Sequence, residues 1–93
     1  MPTACLALSD DYILRIEELS IKLFYVFNCK SGTVYLLDEI SHMALSLCDG
    51  HRNYEEIVSI IGKACQVEPK DLDLALMPLF KKWLAMTLIS EVK

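Results

Sequence analysis

The hydrophobic period of this chain changes once, at Asp38, and that switch limits the folds open to it. Before Asp38 apolar residues alternate; after it they recur at spacings of three and four. The first pattern is that of strands with a buried face and the second that of amphipathic helices. Tyr12-Ile13-Leu14-Arg15-Ile16-Glu17 sets Tyr12, Leu14 and Ile16 on one face and Arg15 and Glu17 on the other. From Ile21 to Asn28, Ile21, Leu23, Tyr25 and Phe27 share one face. Phe24 and Val26 make the opposite face apolar as well, so part of it should also be covered. Asn28-Cys29-Lys30-Ser31-Gly32 reads as a turn, with Gly32 free to take positive φ. Thr33-Val34-Tyr35-Leu36-Leu37 reads as a third strand, giving an antiparallel meander with short connections.

The helical part begins with Asp38 as N-cap. Ile40, Met43, Ala44 and Leu47 form the first helix face, and Gly50 suits a position just past its end. Asn53 and Glu56 resemble a capping box for a second helix. The apolar face of that helix is Tyr54, Ile57, Val58, Ile61 and Cys65. Pro69 is tolerated as the first residue of a third helix. Leu72, Leu76, Leu79, Phe80 and Trp83 form its stripe, and Pro78 within it should kink or split the segment. Three strands followed by three helices is an α+β order. A three-stranded antiparallel sheet needs helices against one face. The compact solution is winged-helix-like, with the hairpins as the wing, in a single domain over residues 1–93 without internal repeat or long linker.

A chain of 93 residues has a thin core. Its hydrophobic content of 54% is more than such a core can hide, so an exposed apolar patch is expected, and such patches mark partner sites. The formal net charge of −4 argues against nucleic acid and against anionic lipid as partners. No apolar run approaches the roughly 20 residues that span a bilayer. Met1-Pro2-Thr3-Ala4-Cys5 lacks the basic and apolar regions of a secretory signal, so a cytoplasmic location is expected. Cys5, Cys29, Cys48 and Cys65 include no Cys-x-x-Cys pair, and they read as small buried hydrophobes in a reducing compartment rather than as zinc ligands.

Nothing in the sequence pairs a nucleophile with a base. His42 falls between Ile40 and Met43 on the first helix, and His51 lies in a Gly50-His51-Arg52 turn. With three glycines there is no phosphate loop. The pairs Asp10-Asp11, Glu17-Glu18 and Glu55-Glu56 form no metal cage. The expectation is a non-enzyme that needs no cofactor and no metal.

Several short motifs follow one another in a fixed order. Lys30-Ser31-Gly32-Thr33-Val34-Tyr35-Leu36-Leu37 covers the hairpin and third strand. Leu47-Cys48-Asp49-Gly50 follows at the end of the first helix and Glu55-Glu56-Ile57-Val58 in the second. Val67-Glu68-Pro69 precedes the third helix, and Leu79-Phe80, Trp83 and Leu88-Ile89 close the pattern. With these motifs the chain resembles, from Val34 to Ile89, the PqqD-like family, the RiPP recognition elements. Each motif is weak alone; their order and spacing are what match. Thr87 departs from the glycine usual after the last helix, Ala75 from a common acidic residue, and Pro78 is unusual in the third helix.

The resemblance implies a non-catalytic adaptor. In such domains the leader of a ribosomally made precursor peptide adds as a strand to the edge of the third strand, in a cleft beside the third helix. Here Val34, Tyr35, Leu36 and Leu37 would form the edge. Leu72, Ala75, Leu76, Leu79 and Trp83 would line the helix side, although such a stripe also serves as core packing. An open strand edge is a ready template for this mode of recognition. The partners implied are the leader and a maturation enzyme: a protease and cyclase of lasso-peptide type, or a radical enzyme as in pyrroloquinoline quinone assembly. The Ser31-Gly32-Thr33-Val34-Tyr35 run looks nearer to lasso-type members. Two other readings are a winged-helix DNA-binding regulator, which the acidic balance disfavours, and an interface module that regulates an enzyme without touching a leader.

Overall fold

A computed structural model of the chain describes residues 4–92. Met1, Pro2 and Thr3, which entered the reading of the amino terminus, lie outside the described residues, as does Lys93. The elements run β1 (Cys5–Leu8), β2 (Tyr12–Glu18), β3 (Lys22–Asn28), β4 (Val34–Leu37), α1 (Glu39–Ser46), β5 (Asp49–Asn53), α2 (Tyr54–Cys65), α3 (Pro69–Ala85) and β6 (Ile89–Val92). The described residues form a mixed α+β fold with three helices and two three-stranded antiparallel sheets, ordered β2-β3-β4 and β5-β1-β6.

The expected order of three strands then three helices is met only in part. The meander β2-β3-β4 and the three helices are present, and the second sheet is an addition. Its strands are short and lack alternation. β5 is Asp49-Gly50-His51-Arg52-Asn53, a run that reads as a turn by composition. It is a strand because β1 pairs with it across a register shift between Leu6 and Ala7. Gly50 takes φ +87° there, and a Cβ on it would lie 3.8 Å from Val92 and 3.9 Å from Ala7. The glycine therefore belongs to the bent strand and not to the helix end, since α1 stops at Ser46 with Leu47 as its C-cap.

The helix starts follow the expected chemistry. Asp38 accepts from Ser41 N–H at 2.6 Å. Asn53 and Glu56 form the complete capping box, with bonds of 2.9 and 3.1 Å. The buried face of α1 is Ser41, Ala44 and Leu45, while Ile40 is exposed. That is a rotation of about one residue from the expected face, which the short helix allows because both neighbouring faces are apolar. α3 passes Pro78 unbroken. The carbonyl that loses its donor belongs to Leu74, which is 76% exposed, so water can take the missing place.

The core lies between the two sheets and the helices. It comprises Leu6, Val26, Ala44, Leu45, Ile57, Ile61, Leu72, Leu76, Phe80, Trp83, Leu88 and Ile89, among others. Phe80 packs edge-on against Tyr54 at 4.9 Å and tilted against Trp83 at 5.1 Å between ring centroids. Tyr54 hydroxyl donates to Asp73 at 2.7 Å and ties α2 to α3. Burial and this carboxylate both raise the phenol pKa above its usual value. Of the two apolar faces of β3, the one carrying Phe24 and Val26 is covered, with Val26 fully buried. Val26 pairs across the strands with Leu14, which packs on the same core. The face of Leu23, Tyr25 and Phe27 is left on the outside of the sheet.

Candidate functional site

β4 is the last strand of its sheet, and among the described residues its far edge pairs with no strand. The phase of the ladder follows from the hairpin. The Asn28 side chain accepts from Lys30 and Ser31 N–H at 2.9 and 3.0 Å, and Gly32 follows at φ +76°. Asn28 N–H then donates to Thr33 O at 2.8 Å, which makes these two a bonded pair. Bonded and non-bonded pairs alternate in an antiparallel ladder, so Val26 with Tyr35 and Phe24 with Leu37 are bonded pairs. The β2 side of β3 agrees in phase, since Cys29 N–H donates to Asp11 O at 2.7 Å. Val34 and Leu36 therefore turn their N–H and C=O groups to the open edge. Leu36 is 72% exposed and Val34 50%.

Beside this edge a cleft of about 270 Å³ separates β4 from the C-terminal half of α3. Its sheet side is Val26, Tyr35, Leu36 and Leu37, continued by Asp38 and Ser41 at the start of α1. Its helix side is Leu79, Lys82 and Trp83, closed by Met86 and Leu88. A tight turn brings the last two into place. Leu88 N–H donates to Trp83 O at 2.9 Å and Thr87 N–H to Leu84 O at 3.1 Å, the bond pattern of a Schellman motif. Thr87 occupies its left-handed position at φ +58°. This is the place where the resembled family has glycine, and the conformation explains that preference.

Of the residues expected to form the site, Tyr35, Leu36, Leu37, Leu79 and Trp83 meet in this cleft. Val34 is on the same strand but belongs to the outer face. Leu72 and Leu76 are buried in the core and do not line the cleft. Ala75 is exposed and also lies outside it. The stripe of α3 thus divides along its length: its first half packs against α2, and only its last turns reach the cleft. Met86 and Leu88 were not expected to contribute. The signal for them was the Trp83-to-Leu88 spacing, which becomes a wall only through the reversed turn at Thr87.

The electrostatics of the cleft are simple. Asp38 stands at the sheet side, where its carboxylate is held by the helix start. Lys82 is exposed at the helix side, and the ion pairs found among the described residues lie elsewhere: Lys22 with Glu18, Lys30 with Asp11, and Arg52 with Asp49. Among the described residues no group of histidine, cysteine and carboxylate side chains could hold a metal ion. His42 packs against Phe24 at 5.2 Å between rings, and burial lowers its pKa from 6.5. Cys48 is buried, and desolvation pushes its thiol up to about 12, so it is not a nucleophile at neutral pH. Cys5 and Cys65 are half-buried and Cys29 is exposed, which corrects the reading of all four as buried hydrophobes. No described helix is long and apolar enough to cross a membrane.

The opposite face of the same sheet is a shallow apolar hollow of about 550 Å³. Ile13, Leu23, Tyr25, Phe27, Val34 and Leu36 line it, with Arg15 at its margin. Tyr25 hydroxyl donates to Glu17 at 2.9 Å, and this bond raises the phenol pKa. Comparison with family models, with curated proteins and with solved structures finds no match to this chain.

Proposed function

We propose that this chain is a non-catalytic, PqqD-like adaptor that binds the leader of a ribosomally made precursor peptide by strand addition to β4. The observation that carries this reading is the open edge of Val34 and Leu36 beside a cleft of mixed apolar and polar lining between β4 and α3. Backbone groups at such an edge give affinity with little demand on sequence, and pockets beside it supply selectivity. On this reading the β3–β4 hairpin is the wing of a winged-helix-like domain. The bound leader is presented to a maturation enzyme, for which a lasso-type peptidase and cyclase are preferred to a radical enzyme. The location is cytoplasmic, where precursor peptides are made.

The test is a titration of the full chain into a fluorescein-labelled leader taken from the precursor encoded beside its gene, read by anisotropy. Saturable binding at micromolar concentration or tighter, little changed between low and high salt, supports the reading, because backbone pairing and apolar burial are weakly screened. Absence of binding to every leader of the gene neighbourhood refutes it.

A further inference from the structure

We infer that the peptide taken up at β4 is recognised on both of its faces, so that its core motif is a run of about four consecutive apolar residues. This rests on the strand-addition reading and adds the chemistry of the ligand to it. The two residues whose backbone groups face the open edge, Val34 and Leu36, are also the two whose side chains lie on the outer face. A strand that bonds to them sets its own side chains in the same alternation. In the antiparallel sense, the peptide residues opposite Leu37 and Tyr35 point into the cleft. Those opposite Leu36 and Val34 point to the outer face.

The outer rows are apolar where they meet β4. Val34 continues the row of Phe27 and Ile13, and Leu36 continues the row of Tyr25, which ends in Arg15 on the far strand. Residues directly opposite in an antiparallel pair have Cβ atoms about 4.5–5.5 Å apart, so each outer peptide residue touches Leu36 or Val34. A polar residue there leaves those two side chains in water. An apolar one covers them and extends the hollow by one strand. With the cleft on one face and apolar cross-strand neighbours on the other, a continuous apolar run is favoured over an alternating one. The outer side chains of Val34 and Leu36 thus take part in recognising the same strand that fills the cleft.

The probe is a display library of random nonapeptides, panned against the full chain and counter-selected on Leu36→Pro, which lacks the edge donor. The expected result is a family of sequences that bind the wild type, are lost on Leu36→Pro, and share four consecutive apolar positions. Panning on Leu36→Lys, at an exposed site, should change one outer position from apolar to acidic and leave its two neighbours apolar. A single outer position changed to lysine in a selected peptide should weaken binding to the wild type about fivefold. Edge-dependent peptides that strictly alternate apolar and polar residues overturn the two-faced motif and leave strand addition standing. If peptides enriched on the wild type are all removed by the counter-selection on Leu36→Pro, both are overturned. A wild-type chain that sediments as a dimer and becomes monomeric in Leu36→Pro gives the edge to a second copy, and also overturns the inference.

Discussion

Proline placed at two adjacent positions of β4 should have opposite effects, and the difference can be worked from the ladder. The N–H of Leu36 faces the open edge, so Leu36→Pro breaks no bond of the folded chain. Its cost falls on the bound state. One backbone bond worth about 0.5–1.5 kcal/mol is lost, and the peptide carbonyl that it served is stranded at about 1–3 kcal/mol. The stranded group sets the cost, because its penalty already contains the lost bond; the middle of that range, about 2 kcal/mol, corresponds to roughly thirtyfold weaker binding at unchanged stability. Tyr35 instead bonds to Val26, the fully buried centre of β3. Tyr35→Pro removes that donor and leaves a buried carbonyl without it, so the loss of about 2 kcal/mol falls on folding. The assay is a pair of measurements on each variant: leader titration by anisotropy, and urea unfolding by circular dichroism. If Leu36→Pro binds as the wild type does, the edge is not the site. If Leu36→Pro unfolds the chain while Tyr35→Pro does not, the ladder phase derived from Asn28 and Thr33 is inverted.

Thr87→Gly should stabilise the chain by about 1 kcal/mol, raising Tm by about 4–8 °C, because a β-branched residue is strained at positive φ; an unchanged or lower Tm refutes this. Gly62→Ala should destabilise it by about 1–3 kcal/mol despite better helix propensity, because the new Cβ would stand 2.9 Å from the Val67 carbonyl oxygen; equal or greater stability in urea refutes the close approach of α2 and the loop. Burial lowers the folded pKa of His42 below 6.5, so the unfolded chain takes up its proton first. Stability is therefore full above pH 6.5 and falls as the pH drops from there toward the lowered value. Tm measured from pH 7.5 to 5.5 should decline in the wild type and decline less in His42→Gln; parallel curves refute the assignment.

The parts of the fold that could be read from the sequence are those whose signal is local. Asn53 with Glu56 and Asp38 ahead of α1 announce helix starts by chemistry that acts within four residues. The alternation of β2 and β3 announces strands in the same way. What could not be read depends on partners far along the chain. β5 has no strand propensity and exists because β1 and Gly50 shape it. The alternation of β3 reads as a buried Leu23, Tyr25 and Phe27 face with part of the other also covered, whereas the helices settle on the Val26 face and leave the first outside. The candidate site divides on the same line. Val34, Tyr35, Leu36 and Leu37 were legible as a strand from their run of β-formers, and the edge role came only with the resemblance to the PqqD-like family. Leu72 and Leu76 look like Leu79 and Trp83 on a helical wheel, and only the packing of α2 against the first half of α3 separates core from cleft.

The pairing of β1 with β6 has a consequence for the order in which the parts arise during synthesis. Cys5 lies opposite Val92 and Leu8 opposite Ile89, so this ladder joins segments about as far apart as the chain permits. The β2–β3–β4 meander needs only near neighbours and can close while the ribosome is still adding the helices. β1 must wait, with one edge uncovered, until the final strand emerges. The turn at Thr87 leads directly into that strand, and Leu88 beside it is a wall of the cleft. A nascent chain would therefore carry the β4 edge early and its complete cleft only at the end. The peptide site proposed at β4 would thus be complete only once Leu88 and β6 have been made.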